Sequence, residues 1–243
     1  IVPEIRLFAS TILGSVDFNI TLMGGMLSFL LFAGSLHVDL NDLLKQKTII
    51  SILATFGVIF STLVVGTITY YVLAFFSINI DYIYCLLFGS LISPTDPIAV
   101  IGILKETNAP KSLETTIAGE SLFNDGVGVV VFTVILSLLS GGGHISVSEV
   151  SFLFIEEAVG GIVFGLIIGY IFFKLLKSVD NYPLEIMLTL ALVMGGYSLA
   201  SHLHVSGPLA MVIAGLFIGN HGKMFAMSET THRQLFLFWE LID

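Results

Sequence analysis

Charged residues are scarce in this sequence. Asp, Glu, Lys and Arg together make up 11% of the 243 residues, whereas a typical water-soluble domain contains about 25%. Hydrophobic residues make up 56%, and the mean hydropathy is +1.00. The apolar runs are long enough for membrane helices of about 20 residues and too long for outer-membrane strands of about 10. The sequence therefore predicts an all-α polytopic membrane protein and excludes an ordinary soluble domain.

Cysteine and positive charge are also sparse. Cys85 is the only cysteine, so no internal disulfide can form. Nine Lys and Arg stand against 18 Asp and Glu, a net charge of -9, and this balance argues against a nucleic-acid partner. There is no initiator Met and no charged leader, so we expect no signal peptide. We interpret residues 1–243 as one membrane transport domain, cut at both ends.

Seven apolar stretches are expected to span the lipid bilayer. Their approximate bounds are 20–38, 48–76, 82–104, 113–139, 150–173, 184–202 and 208–218. Lys and Arg lie in every second connection, which places those connections in the cytoplasm by the positive-inside rule. Short connections favour a bacterial inner membrane. Residues 39–47 are predicted to be a polar loop, with Asp39 and Asp42 solvated.

A stripe of small residues runs along the fifth predicted span. Gly161, Gly165 and Gly169 are four residues apart and therefore share one face of a helix. Small residues at this spacing allow two membrane helices to approach closely. The stripe predicts a tightly packed partner helix.

The third span is interrupted by polar residues and prolines. Pro94 and Pro97 bracket Thr95 and Asp96 inside an apolar run. The prolines remove two backbone donors and disfavour helical geometry at the preceding residues. Carbonyls released in this way are tolerated at membrane depth only where they line a cavity or are bound by protein. A structural kink is the simpler interpretation, but a kink does not require an aspartate, so we favour a cation site.

The fourth span carries two polar edges at one depth. Ser121 and Asp125 are four residues apart on one face, and Glu120 and Asn124 form a second pair on the neighbouring face. The hydroxyl and carboxylate oxygens of the first pair can bind a small cation. The Asn124 amide can form hydrogen bonds with backbone groups that the break in the third span leaves unpaired. A carboxyl such as Asp125 at this depth is a functional-site candidate, holding a proton or a cation in turn. We favour a structural role for Glu120, as a buried anion that needs a positive partner.

Both polar stretches resemble a known family. Phe88-Gly89-Ser90-Leu91-Ile92-Ser93-Pro94-Thr95-Asp96-Pro97 and Gly119-Glu120-Ser121-Leu122-Phe123-Asn124-Asp125-Gly126 are similar to the sodium/proton exchangers of the NhaP/NHE branch of the monovalent cation:proton antiporter superfamily. The stretches 204–210 and 238–243 look similar as well. The resemblance implies an inverted-repeat fold with a mobile core domain, a dimerisation domain and alternating access, and hence a homodimer.

The resemblance also implies roles for individual residues. Asp125 would bind the cation or proton, with Ser121 and Thr95 as further ligands of the transported Na⁺. Asn124 and Asp96 would support the crossing of broken helices, together with Pro94 and Pro97. Glu120 would pair with an arginine beyond residue 243. The order Asn-Asp is that of the electroneutral branch, and no cofactor is expected beyond the transported Na⁺ and H⁺.

Three alternatives stay open at this point. A potassium-preferring exchanger would use the same oxygen ligands, and cavity size would decide between the two ions. A proton-coupled carrier of an organic solute would need a larger cavity lined by specific polar groups. An intramembrane aspartyl protease would use Asp96 and Asp125, which lie on successive spans, although prolines flank the first of them.

Overall fold

The computed structural model describes residues 26–97, 100, 103–104, 106–107, 109–140, 147–222 and 229–242. All regular structure in these ranges is helical. The helices are α1 Ser28–His37, α2 Leu40–Lys45, α3 Lys47–Ile52, α4 Val58–Phe75, α5 Tyr82–Ile92, α6 Lys111–Ser140, α7 Val147–Lys177, α8 Tyr182–His202, α9 Gly207–Phe217 and α10 Glu229–Glu240.

Seven apolar helical segments correspond to the seven predicted spans. Four are long and apolar enough to cross a membrane, and three shorter apolar helices match the rest of the prediction. The first predicted span begins before residue 26, so its start lies outside the described residues, as does everything before it. The all-helical fold class predicted from the sequence is confirmed.

The predicted loop at 39–47 was wrong, because most of it is helix α2. Asp39 caps this helix: its side chain accepts from the backbone amides of Asn41 at 2.8 Å and Asp42 at 3.2 Å. An N-terminal cap of this kind satisfies amides that a short helix leaves unpaired.

The helices pack as two groups that share α6. In one group α4 lies along α5, and both contact α6. In the other group α9 is central and contacts α1, α7 and α8. Nine of the eleven residues of α9 are buried, and the main hydrophobic core of the described residues surrounds it, including Phe32, Met211 and Trp239. Because α6 contacts both groups, its residues lie where the two meet.

The glycine stripe of α7 is the surface on which α9 packs, as predicted. A Cβ at Gly161 would lie 2.7 Å from the carbonyl oxygen of Ser206, and one at Gly165 would lie 2.6 Å from that of Ala210. Neither distance is compatible with a side chain, so only glycine permits this approach. The close packing that the four-residue spacing predicted is confirmed.

Candidate functional site

The prolines end α5 in the middle of an apolar segment. Helix α5 stops at Ile92, and residues 93–97 are not helical. Ser93 fixes the end of the helix: its hydroxyl donates to the carbonyl of Gly89 at 2.6 Å and accepts from the hydroxyl of Thr62 at 3.3 Å. The broken stretch is therefore anchored to α4 at its start, while the following residues lie beside α6.

Helix α6 approaches the break closely. A Cβ at Gly128 would lie 2.5 Å from Cγ of Pro94, so a larger residue would push the two elements apart. Helix α6 has 30 residues, which corresponds to a length of about 45 Å. Its polar residues 120–125 lie near the middle of that length, at the level of the break.

A closed hydrogen-bond network joins the broken stretch to α6. Nδ2 of Asn124 donates to Oγ1 of Thr95 at 2.8 Å and to Oε1 of Glu120 at 2.8 Å. Oγ1 of Thr95 in turn donates to Oε2 of Glu120 at 3.3 Å. The hydroxyl of Ser121 donates to the Thr95 carbonyl at 2.7 Å, which Nδ2 of Asn124 also approaches at 3.5 Å. The carbonyl and hydroxyl of Thr95 thus find partners on α6, although the residue is outside any helix.

Neutral side chains donate hydrogen bonds to the carboxylate of Glu120. Both of its carboxylate oxygens accept a hydrogen bond, one from Asn124 and one from Thr95. Among the described residues no Lys or Arg forms an ion pair with Glu120, and the arginine implied by the resemblance would lie beyond the chain. Asn124 itself is fully buried, and its Oδ1 has no hydrogen-bond partner.

Asp125 stands apart from this network. In the described part of the chain its carboxylate makes no hydrogen bond and no ion pair. It lines a cavity of about 270 Å³ between α1, the break and α6. The other lining residues are apolar except for Ser90: Met26, Leu27, Leu30, Leu91, Pro94, Gly128, Val129 and Phe132. Asp125 is therefore the acidic side chain among the residues that line this cavity.

The remaining predicted residues lie around the same point. Asp96 and Pro97 are in the non-helical stretch, where Asp96 is exposed and Pro97 is half-buried. Asp96 and Glu120 are both close enough to repel the charge of Asp125. The structure thus gathers the eight predicted residues at one place: four from the break and four from α6.

Charged residues also meet at the start of α6. Asp42 of α2 forms ion pairs with Lys111 and Lys45, each at 2.7 Å. Hydrogen bonds from Lys111 and then from Lys45 lower the pKa of Asp42 from 3.8 to about 2. The sequence had suggested a plain solvated aspartate. Its partner Lys111 lies 69 residues further along the chain, and no local pattern pointed to the contact.

Two further polar residues in the structure were not singled out from the sequence. Asn220 links the end of α9 to the turn after α1, accepting from the Leu40 amide at 2.9 Å and donating to the Val38 carbonyl at 2.9 Å. Glu185, in the first turn of α8, is fully buried. Its position at the end of an apolar run looked like a membrane interface, so nothing in the sequence distinguished it from a solvated residue.

Comparisons with known proteins agree on one family. The family model described as "Sodium/hydrogen exchanger, transmembrane" matches residues 7–242. The chain is 55% identical over 241 residues to the Na(+)/H(+) antiporter NhaP of Pseudomonas aeruginosa. The matched region covers 99% of this chain and 57% of that relative. It is 34% identical over 243 residues to the Na(+)/H(+) antiporter NhaH of Halobacillus aidingensis, covering 99% and 59%.

A solved structure shows the same fold. The sodium proton antiporter MjNhaP1 of Methanocaldococcus jannaschii, determined at pH 8, superposes with a TM-score of 0.74 at 24% identity. The match covers 93% of this chain and 54% of that one. The chain thus spans between half and three-fifths of the length of these relatives. The family model covers nearly the whole chain, and so the chain belongs to the transmembrane sodium/hydrogen exchanger family.

Proposed function

We propose that the full-length protein is a secondary transporter, not an enzyme, and that it exchanges Na⁺ for H⁺ across a membrane. The observation that carries the proposal is the Asp125 carboxylate. It has no partner in the described part of the chain and lines a cavity beside a helix break. An unpaired carboxylate is costly in such surroundings unless it holds a proton or a cation. Ion binding is therefore the role that this position supports.

The neighbouring oxygen atoms suit a small cation. The Ser121 hydroxyl donates its one hydrogen bond to the Thr95 carbonyl, so the lone pairs of its oxygen remain available to a metal ion. The Thr95 carbonyl lies at the same place and has a second lone pair. We propose that Asp125 supplies the charge and that Ser121 and Thr95 supply neutral oxygen ligands for the transported Na⁺.

Coupling follows from the presence of one available carboxylate. Both carboxylate oxygens of Glu120 accept hydrogen bonds, from Asn124 and Thr95. Asp125 is therefore the carboxylate that can release one ion and bind the other. A carboxylate that binds either Na⁺ or H⁺, but not both, carries one positive charge in each direction. The proposed exchange is therefore electroneutral and proceeds by alternating access of this site to the two sides.

The test uses the full-length protein in liposomes that contain a pH-sensitive dye. A proton gradient is imposed, and Na⁺, Li⁺ or K⁺ is then added outside. We expect proton movement in response to Na⁺ with the wild type and no response with Asp125→Asn. Asp81→Asn is the matched control, because Asp81 is an exposed residue before α5 with no capping bond, and this variant should exchange normally.

Each outcome has a clear meaning. Normal exchange by folded Asp125→Asn would refute the assignment of the site, and the absence of any cation response in folded wild type would refute the function. A response to K⁺ alone would make the protein a potassium/proton exchanger with the same site. Proton movement driven only by an organic solute would contradict cation exchange altogether.

Assembly and location are part of the same proposal. We propose a homodimer in a bacterial inner membrane. The family resemblance supports the dimer. The bacterial relatives named above and four described helices that are long and apolar enough to cross a membrane support the location. The mass of the purified protein in detergent, measured by light scattering, tests the dimer. A monomer at all concentrations would contradict it.

A further inference from the structure

Glu185 is an acidic residue with no part in the site described above. Its exposed fraction is 0%, and neither of its carboxylate oxygens has a hydrogen-bond partner. The backbone amide of Asn181 faces the carboxylate without meeting hydrogen-bond geometry. More than nine in ten buried polar groups in proteins are paired, so a buried carboxylate with two unpaired oxygens requires an explanation.

The position of Glu185 follows from how α8 and α10 pack. The Thr231 hydroxyl at the start of α10 donates to Oδ1 of Asp180, just before α8, at 3.4 Å. Further along, Nε1 of Trp239 donates to Oγ1 of Thr189 at 3.0 Å. Both contacts advance along the two chains in the same direction. The helices are therefore parallel, and the residues between these two contacts line a common seam.

An apolar residue occupies the matching position on α10. Leu235 lies midway between Thr231 and Trp239, one helical turn from each, and all three are buried. Glu185 lies one turn before Thr189 on α8. This register places Leu235 at the level of Glu185, and the leucine side chain offers no donor. The carboxyl of Glu185 therefore lies in the seam between the Thr231–Asp180 and Trp239–Thr189 hydrogen bonds and takes part in neither.

The electrostatics of the seam disfavour a negative charge. Asp180 is the charged group that acts on Glu185, and the two repel. Other titratable groups on the packed helices, among them His37 of α1, Lys174 and Lys177 of α7, and Arg233 and Glu240 of α10, are not among the groups that act on Glu185. Helix α9 carries no titratable residue. The N-terminus of α8 favours an anion, but by less than removing an unpaired carboxylate from water costs.

We propose that Glu185 is a proton-binding site, which holds α8 against α10 as a neutral carboxylic acid. A proton needs no added volume, whereas a metal ion would need several oxygen ligands around it. Ionisation of Glu185 forces the carboxylate toward water and loosens the seam. Packing of α8 on α10 thereby depends on pH, independently of ion exchange at Asp125.

Thermal unfolding of the full-length protein in detergent tests this. Glutamine has the shape of a neutral glutamic acid, so Glu185→Gln should match the wild type at about pH 5. The folded wild type holds a proton that the unfolded chain releases, so its stability falls as pH rises. We expect the Tm of the wild type to drop below that of Glu185→Gln by about 2 °C per pH unit as pH rises above the ordinary range of a glutamate, and the difference to level off once Glu185 is ionised in the folded protein.

The control is Glu240→Gln, because Glu240 is an exposed glutamate of α10. This variant should follow the wild-type curve. If Glu185→Gln were less stable than wild type at every pH, Glu185 would be an anion paired with a basic residue elsewhere in the protein, and the proposal would fail. Parallel curves for the two proteins would also overturn it.

Infrared spectroscopy gives a second readout that does not depend on unfolding. A protonated carboxyl in a dry site has a distinct C=O stretch, and the band of Glu185 should be present at neutral pH in wild type and absent in Glu185→Gln. A spectrum unchanged by the substitution would contradict a neutral Glu185.

Discussion

Replacing Asn124 with leucine should destabilise the protein strongly, because one amide holds the broken stretch against α6. Leucine has a similar size and keeps the helix, but it removes both donors. The carboxylate of Glu120 and the hydroxyl of Thr95 each lose a 2.8 Å hydrogen bond. Residues 93–97 then lose much of their attachment to α6.

The magnitude can be worked out bond by bond. A hydrogen bond to a charged group contributes about 1.5–3 kcal/mol, and a neutral one contributes about 0.5–1.5 kcal/mol. The two short bonds of Asn124 therefore amount to about 2–4 kcal/mol. The chain spans about three-fifths of its relatives' length, and in a full-length protein of that size 1 kcal/mol shifts the Tm by about 1–2 °C, so the Tm should fall by about 2–8 °C.

The assay is thermal unfolding of the full-length protein in detergent, with Asn41→Leu as the matched control. Asn41 is exposed on α2 and its side chain makes no hydrogen bond among the described residues, so its replacement should stay within about 0.5 kcal/mol. A Tm of Asn124→Leu equal to that of Asn41→Leu would refute the role of the amide.

Two further predictions concern packing and charge. Gly165→Ala should lower the Tm, because its Cβ would meet the Ala210 carbonyl at 2.6 Å and overpacking costs about 1–3 kcal/mol; Gly195→Ala, with open space around its Cβ, should gain up to about 1 kcal/mol, and equal effects would contradict the packing argument. The pairing of Asp42 with Lys111 lowers the pKa of Asp42 from 3.8 to about 2, so its stabilising effect is present above pH 3.8 and is lost as pH falls through about 2. Stability curves of wild type and Asp42→Asn should therefore differ at neutral pH, converge in acid and converge in high salt; curves that stay apart at pH 2 would show another cause.

Much of the fold could be predicted from the sequence, because lipid imposes long apolar runs and charge asymmetry marks their connections. The fourth and sixth predicted spans begin within two residues of the helices observed, α6 and α8. The contact between Asn124 and the broken stretch also followed, since four-residue spacing and two prolines are local signals. These features depend on residues close together in the chain.

What could not be predicted depends on distant contacts. Asp42 meets Lys111 across 69 residues, and Asn220 reaches back to Val38. Glu185 stands where a solvated residue is common, and the helices packed against α8, α10 among them, leave it buried. No periodicity in a single stretch carries such information, because burial at a helix end is decided by another helix.

The depth of the site along α6 has an electrical consequence. Asp125 is 14 residues from Lys111, or about 21 Å at 1.5 Å per residue, close to the middle of the helix. A membrane potential does work of about 2.3 kcal/mol per charge per 100 mV across the full bilayer, so an ion that stops at this depth experiences about half of it. In the proposed cycle Na⁺ and H⁺ cross the same fraction of the field in opposite directions. The membrane potential therefore assists binding of either ion from the positive side of the membrane and opposes its release to that side. These contributions cancel over a complete exchange, so the potential does no net work.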